Sequence, residues 1–331
     1  MLKNLAGRAA CLAPWLVIGS LAYAAVFIKP TVDPVPLDQP LVERRDAFFD
    51  GAVLGQKLWV VGQNGALLYS PDEGAHWIRE ELPTRGNLQA IAVSDQGRIV
   101  VVGNQGRLWT RQDFEPWESR DLMVSDVAGK LLSVNFINGY FWAVGAMGMV
   151  FRGDENAANW QTMREGEDVT FNSVRAGADG DLWITAEFGQ LLRSRDGGAT
   201  WSTQELGSES LRAIAFEGRE GIAVGNQGQA FLTKDAGDTW EPLESFTREH
   251  LFDVVFHRGE WLTTGDRGAL FRSRTPAAGW QAWVPNGLDK GYHNRLLDTA
   301  DGVVLIGHQI GLLSQDDLQL WPREQNQGLQ K

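Results

Sequence analysis

The sequence predicts an all-β chain, a ring of seven four-stranded sheets preceded by one membrane-crossing helix. Three observations carry this. A Gly-x-x-Gly turn recurs seven times along 331 residues. A tryptophan follows each turn at a fixed distance. A single uninterrupted apolar stretch stands near the N-terminus, ahead of the first repeat.

Ala9 to Ile28 carries no charge over 20 residues. As a helix it is about 30 Å long, the thickness of a bilayer core. Lys3 and Arg8 precede it and orient residues 1–8 to the cytoplasm. The stretch is expected to be an uncleaved signal-anchor over 9–28, with the folded part on the periplasmic side of the inner membrane. A cleaved signal peptide is the competing expectation, since Ala22-Tyr23-Ala24 has the small-x-small form. Apolar residues Ala25-Val26-Phe27-Ile28 run on past that site and speak against cleavage. Cys11, with no apolar run before it, lies too early to be a lipidated cysteine. Residues 29–44 hold four prolines and read as an extended, stiff tether. The ring is expected over 45–325, with a short tail at 326–331.

The turns are Gly62-Gln-Asn-Gly65, Gly103-Asn-Gln-Gly106, Gly145-Ala-Met-Gly148, the variant Ala186-Glu-Phe-Gly189, Gly225-Asn-Gln-Gly228, Gly265-Asp-Arg-Gly268 and Gly307-His-Gln-Ile-Gly311. Their starts are 39 to 42 residues apart. Trp77, Trp117, Trp160, Trp201, Trp240, Trp280 and Trp321 each follow a start by 14 or 15 residues. Within each unit an apolar strand such as Leu211-Arg-Ala-Ile-Ala-Phe216 leads to a second ending at the turn. A third follows the turn, and a fourth begins at the tryptophan. β-branched and aromatic content fits strands, and the glycine pairs fit turns needing positive φ. One such sheet cannot cover both its faces, so neighbours must do so, which is the logic of a β-propeller. Either residues 318–323 or a strand from about 38–50 is expected to complete the seam.

Between third and fourth strands stands Ser194-Arg-Asp-Gly-Gly-Ala-Thr-Trp201, with close copies at Thr233–Trp240 and Ser70–Trp77. This is the Asp-box pattern. Asp72, Asp196 and Asp235 are expected to bond N–H groups of their own turns, with Trp77, Trp201 and Trp240 packing behind them. Their role is structural rather than catalytic.

These repeats resemble the bacterial neuraminidase repeat. The order of apolar strand, Ala223-Val-Gly-Asn-Gln-Gly228, third strand and box resembles the photosystem II assembly and stability factor family over residues 45 to about 322. That resemblance implies a non-catalytic seven-bladed propeller on the exported side of a membrane. It further implies a scaffold, assembly factor or accessory subunit of an integral membrane complex. The reading favoured from sequence is a complex of the resistance-nodulation-division exporter type. A photosystem II assembly factor proper is one alternative, and a sialidase-like or glycan-binding propeller is another.

Composition excludes several classes. The net charge is −12, and −15 once residues 1–30 are set aside, so no nucleic-acid footprint exists. One cysteine excludes a disulfide framework. The five histidines are scattered without ligand spacing, so no metal or cofactor is expected. The sialidase reading lacks an Arg-Ile-Pro motif, and only Tyr69, Tyr140 and Tyr292 remain beyond the apolar segment. No enzyme is expected.

A binding surface remains. On the turn face, Met147, Phe188 and Ile310 stand at positions where other units have polar residues, beside Arg267 and His308. The longer connections add Leu122, Met123, Phe246, Arg248 and Tyr292. Exposed apolar groups near arginine favour a protein partner here. A second candidate is basic: Arg152, Arg193 and Arg272 share one position of three units, with Arg195, Lys234 and Arg274 two residues further along their strands.

Overall fold

The computed structural model describes residues 15, 17–19, 23, 41–42, 46–122, 129–164, 166–314 and 317–322. The chain divides into two units, 1–40 and 41–331. In the first, residues 15, 17–19 and 23 are helical. Among the described residues no helix is long and apolar enough to cross a membrane. The rest of the expected 9–28 span, the tether at 29–40 and the tail at 326–331 lie outside the described residues.

The second unit is the ring. Its described residues form seven separate four-stranded sheets, each an antiparallel meander in chain order. Blade 1 runs from Phe48–Leu54 to Ile78–Glu81, and blade 2 from Leu88–Val93 to Glu118–Asp121. Blade 3 runs from Leu131–Ile137 to Trp160–Arg164, and blade 4 from Phe171–Ala176 to Ser202–Glu205. Blade 5 runs from Leu211–Glu217 to Glu241–Pro242, and blade 6 from Leu251–His257 to Gln281–Ala282. Blade 7 closes the series from His293–Asp298 to Asp317–Trp321. The first strand of each blade lies against the first strands of both neighbours, including blade 7 against blade 1. First strands therefore line the hub, and second and third strands carry the buried apolar residues that pack between blades.

The seam is closed by side chains. Blade 7 takes its outer strand from the C-terminal Asp317–Trp321, and among the described residues no strand is exchanged across the seam. Trp77 and Trp321 meet with ring centroids 5.5 Å apart, over a cluster that includes Phe48, Leu68, Val304 and Ile310. The Asn294 side-chain amide donates to the Phe48 carbonyl (2.9 Å). Residues before blade 1 lie over this seam: Arg79 donates to the Leu41 carbonyl (3.0 Å) and pairs with Asp46 (2.7 Å).

Each complete Asp-box consumes its carboxylate. Asp196 accepts from the Thr200 N–H (2.8 Å), the Thr200 hydroxyl (2.5 Å) and the Ser194 hydroxyl (2.9 Å). Asp235 repeats the pattern with Thr239 and Thr233. These hydrogen bonds hold both carboxyls down at about 2. Asp72 does the same with His76 and Ser70 and is likewise lowered. The box glycine has a second purpose. A Cβ on Gly237 would lie 2.3 Å from the Trp183 ring of blade 4, and one on Gly198 would lie 2.5 Å from Trp142 of blade 3. In blades 4 and 5 the box turn thus seats on a second-strand tryptophan of the preceding blade, and in blade 1 Gly74 seats on Trp321 of the last strand of blade 7. Trp142 and Trp183, outside the repeated series, are among the largest fully buried side chains.

The Gly-x-x-Gly turns correct one expectation. Their first glycine is not in the left-handed region: Gly265 has φ −174. It is small because a Cβ there would lie 1.9 Å from the His250 carbonyl of the incoming connection. The last glycine does need positive φ (Gly268, +73), and the residue before it adopts positive φ without being glycine (Arg267, +53).

Candidate functional site: the turn face of the hub

Every first strand carries a β-bulge at its second residue. The pairing register skips Phe49, Gln89, Leu132, Asn172, Arg212, Phe252 and Asn294 in blades 1 to 7. A bulge turns its extra residue away from the regular pleat. The residue just before it (Leu88, Leu131, Phe171, Leu211, Leu251) is fully buried, whereas the bulge residues are half-buried at the hub. Hydrogen bonds place this ring at the Gly-x-x-Gly side: Arg212 Nε donates to Asn226 Oδ1 (3.1 Å) and Gln89 Nε2 to Asn104 Oδ1 (3.4 Å).

Arg212 is the one charged member of the ring. It also donates to Asn172 Oδ1 (3.2 Å) and lies over the Phe252 ring, 5.7 Å from its centroid. Among the described residues no carboxylate comes within ion-pair distance of it. Burial draws its guanidinium below the usual arginine value, and Glu187 acts in the opposite sense. His250 also stacks on Phe252 (6.5 Å, 12°).

Turn tips surround this ring. Phe188 is 61% exposed at the blade 4 tip with φ +58. Met147 holds the same place in blade 3, half-buried, its carbonyl accepting from the Glu167 N–H (2.9 Å). Arg267 is exposed at the blade 6 tip, 3.7 Å from Glu249, and Arg248 is exposed nearby in the sequence. His308 is exposed at the blade 7 hairpin and bonded to Asp289. Tyr292 is half-buried against His308 (6.3 Å), and burial raises its phenol.

Three of the sequence-derived residues do not stand on this face as expected. Ile310 is only 3% exposed. The extra residue of blade 7 makes a hairpin over Gly307–Gln309, so Ile310 pairs with Ile306 as the first residue of the third strand and joins the seam cluster. Leu122 is buried in the cluster shared by blades 2 and 3. Phe246 is stacked on Trp280 (5.1 Å, 18°) and edge-on to Phe271, so it is spent on internal packing. Met123 lies outside the described residues.

The six basic residues do not form one free patch. Arg193 is buried, bonded to Asp181 (2.5 Å) and Asp238 (2.7 Å), and lies over Trp183 (4.8 Å). Arg195 shares Asp238, and Arg274 pairs with Glu260 (2.7 Å). Arg152 lies over Tyr140 (4.8 Å) and Arg272 over Trp283 (5.4 Å). Lys234 is exposed. Of these contacts, those of Arg193 and Arg195 with Asp238 join blade 4 to blade 5, and those with Asp181, Glu260 and Tyr140 lie within one blade.

Deeper in the hub, Arg295 of blade 7 is shared by Asp50 of blade 1 (3.0 Å) and Asp253 of blade 6 (3.2 Å). Each carboxylate also accepts an N–H from the next blade, Ile91 (3.1 Å) and Leu296 (2.9 Å). Burial pushes the Asp253 carboxyl up to about 7 and Asp50 to about 6, while Arg175 pulls both the other way. This cluster ties three blades at the seam.

Comparison with known proteins agrees with the geometry. The family model described as photosynthesis system II assembly factor YCF48 matches residues 162–306. The photosystem II assembly lipoprotein Ycf48 of Synechococcus sp. (strain CC9902) is 27% identical over 231 residues, 66% of this chain and 68% of that one. A solved structure of YCF48 bound to D1 peptide superposes with a TM-score of 0.65 at 18% identity, covering 79% of this chain and 90% of that one. YCF48 from Cyanidioschyzon merolae gives 0.65 at 15% identity, covering 82% and 95%. At these identities the two structures speak for the fold. Repeat, closed ring and sequence matches together show a seven-bladed propeller that is similar to the photosystem II assembly factors.

Proposed function

We propose that this chain is a non-catalytic assembly factor that holds a segment of an integral membrane protein, of photosystem type, on the turn face while its complex is built. The observation that carries this reading is Arg212. A half-buried guanidinium with two amide partners and, among the described residues, no carboxylate within ion-pair distance is incompletely compensated. Set among Phe49, Leu132 and Phe252, with Phe188 exposed above, it suits an anionic group flanked by apolar side chains. The relatives support the choice of partner, one being called a photosystem II assembly lipoprotein and another solved with a D1 peptide. The exporter role expected from sequence draws no support from them, and the photosystem-type reading takes its place. Attachment to the membrane through 9–28, with the ring in the periplasm, is part of this proposal.

The test is purification of tagged full-length protein in mild detergent. A membrane-embedded photosystem-type subunit is expected to co-purify, and Arg212→Glu, or Met147→Asp with Phe188→Asp, is expected to abolish this without unfolding the ring. Protein that emerges alone and monodisperse overturns the reading.

A further inference from the structure

The residue that opens each first strand is Phe48, Leu88, Leu131, Phe171, Leu211 or Leu251 in blades 1 to 6, and His293 in blade 7. All seven are buried, His293 at 0% exposure. An imidazole therefore occupies a position that six sister blades fill with an apolar side chain. Neither of its nitrogens makes a well-formed hydrogen bond. The Asp289 carboxylate lies 3.4 Å from Nε2, and the Asp289 backbone also faces the ring.

Asp289 belongs to the connection between blades 6 and 7, residues 283–292. One of its oxygens accepts from the Gly291 N–H (2.8 Å), and the other bonds the exposed His308 ring. Further bonds hold the connection: Trp283 N–H donates to the Leu270 carbonyl (2.8 Å), Asp289 N–H to Gln309 Oε1 (3.0 Å), Leu318 N–H to the Asn286 carbonyl (2.9 Å) and the Asn286 side-chain amide to Asp317 (2.9 Å). Gly268 N–H donates to the Gly291 carbonyl (2.7 Å) and His308 N–H to the Tyr292 carbonyl (2.8 Å). The charged neighbours on each side are accounted for. The connection brings Asp289 and Lys290, and the blade 7 hairpin brings His308. The blade 6 turn brings Arg267, paired with Glu249, and the hub brings Arg295, held by Asp50 and Asp253. Blade 1 presents the uncharged Phe48.

We propose that the buried His293, seated beside Asp289, is a proton-operated latch that keeps the blade 6–7 connection closed at neutral pH and releases it in mild acid. A neutral His293 fits the dry pocket, whereas its cation is penalised there by burial and by His308 and only partly relieved by Asp289. Once the connection opens, the imidazole meets water and takes a proton near its ordinary value. Acid therefore favours the open form, because that form binds one more proton. Between pH 7.5 and 5 the open population rises by up to about 30-fold. The latch borders the turn face but is independent of what that face binds.

Native-state hydrogen exchange on the full chain tests this. After correction for intrinsic rates, protection of the Gly268, Gly291 and His308 amides is expected to fall by up to about 30-fold between pH 7.5 and 5. The Asn226 amide, bonded equivalently to Ser210 in blade 5, is expected to hold. His293→Leu, which restores the residue type of the other blades, is expected to fold and to remove the pH response. The same response in His293→Leu, or none in the wild type, overturns the latch. So does an NMR titration in the native protein giving His293 an apparent pKa at or above its ordinary value.

Discussion

Gly218 and Gly237 both lie in blade 5 at positive φ, +55 and +84, yet only Gly237 touches another blade. An alanine Cβ at Gly218 would meet nothing within 4 Å, whereas at Gly237 it would lie 2.3 and 2.5 Å from atoms of the buried Trp183 ring. Left-handed backbone costs an alanine about 1–2 kcal/mol at either position. Only Gly237→Ala adds overpacking against a rigid ring, about 1–3 kcal/mol more. The expected losses are then about 1–2 kcal/mol for Gly218→Ala and about 2–5 kcal/mol for Gly237→Ala. Urea unfolding at neutral pH reads the difference as a shift in midpoint at unchanged slope. In a Trp183→Leu background the extra penalty should shrink, since the ring edge that creates it is gone. Equal losses for the two alanines, or strict additivity with Trp183→Leu, would refute the claim that each box turn seats on its neighbour's tryptophan.

Ile310→Ala should cost about 2–5 kcal/mol as a core truncation, while Phe188→Ala should stay within about 0.5 kcal/mol, both read by thermal melting. Asp253 has a raised folded value, so its contribution is present in acid and lost as pH rises through about 7. Asp253→Asn should therefore flatten the stability profile between pH 5 and 8, and an unchanged profile would contradict the hub assignment. Asp196 has a depressed value, so its contribution is present above the ordinary carboxylate range and lost as pH falls towards about 2. Asp196→Asn should lower the melting temperature at pH 7 and narrow the gap to wild type at pH 2. His293→Leu should remove a loss of stability that sets in below about pH 6.5, opposite in sign to the Asp253 effect.

Sequence periodicity was sufficient for the ring because each blade repeats the same solution to the same covering problem. Turn and tryptophan recur at nearly fixed spacing, so blade number and strand order could be read directly. What stayed hidden depends on contacts between blades. The first turn glycine is required by a carbonyl from the incoming connection, which no local pattern displays. Trp142 and Trp183 stand at no uniformly repeated position, so their pairing with the next blade's box glycine was invisible. Ile310 looks like a tip residue because blade 7 has one residue more between its glycines, and the pairing of Ile306 with Ile310 makes the tighter hairpin that buries it. Arg212 looks like an ordinary strand residue in the sequence, because the bulge that turns it to the hub shows only in the pairing of the folded strands. Aligned on their turns, the seven first strands carry Phe49, Gln89, Leu132, Asn172, Arg212, Phe252 and Asn294 within one residue of the same place, and Arg212 is the one charge among them.

Site-specific photo-crosslinking in native membranes tests the central claim most directly. A crosslinker at Phe188, on the turn face, is expected to capture a photosystem-type membrane subunit. One at Lys234, exposed beside the blade 5 box on the opposite face, is expected to capture none. Capture from Lys234 and not from Phe188 would contradict the account.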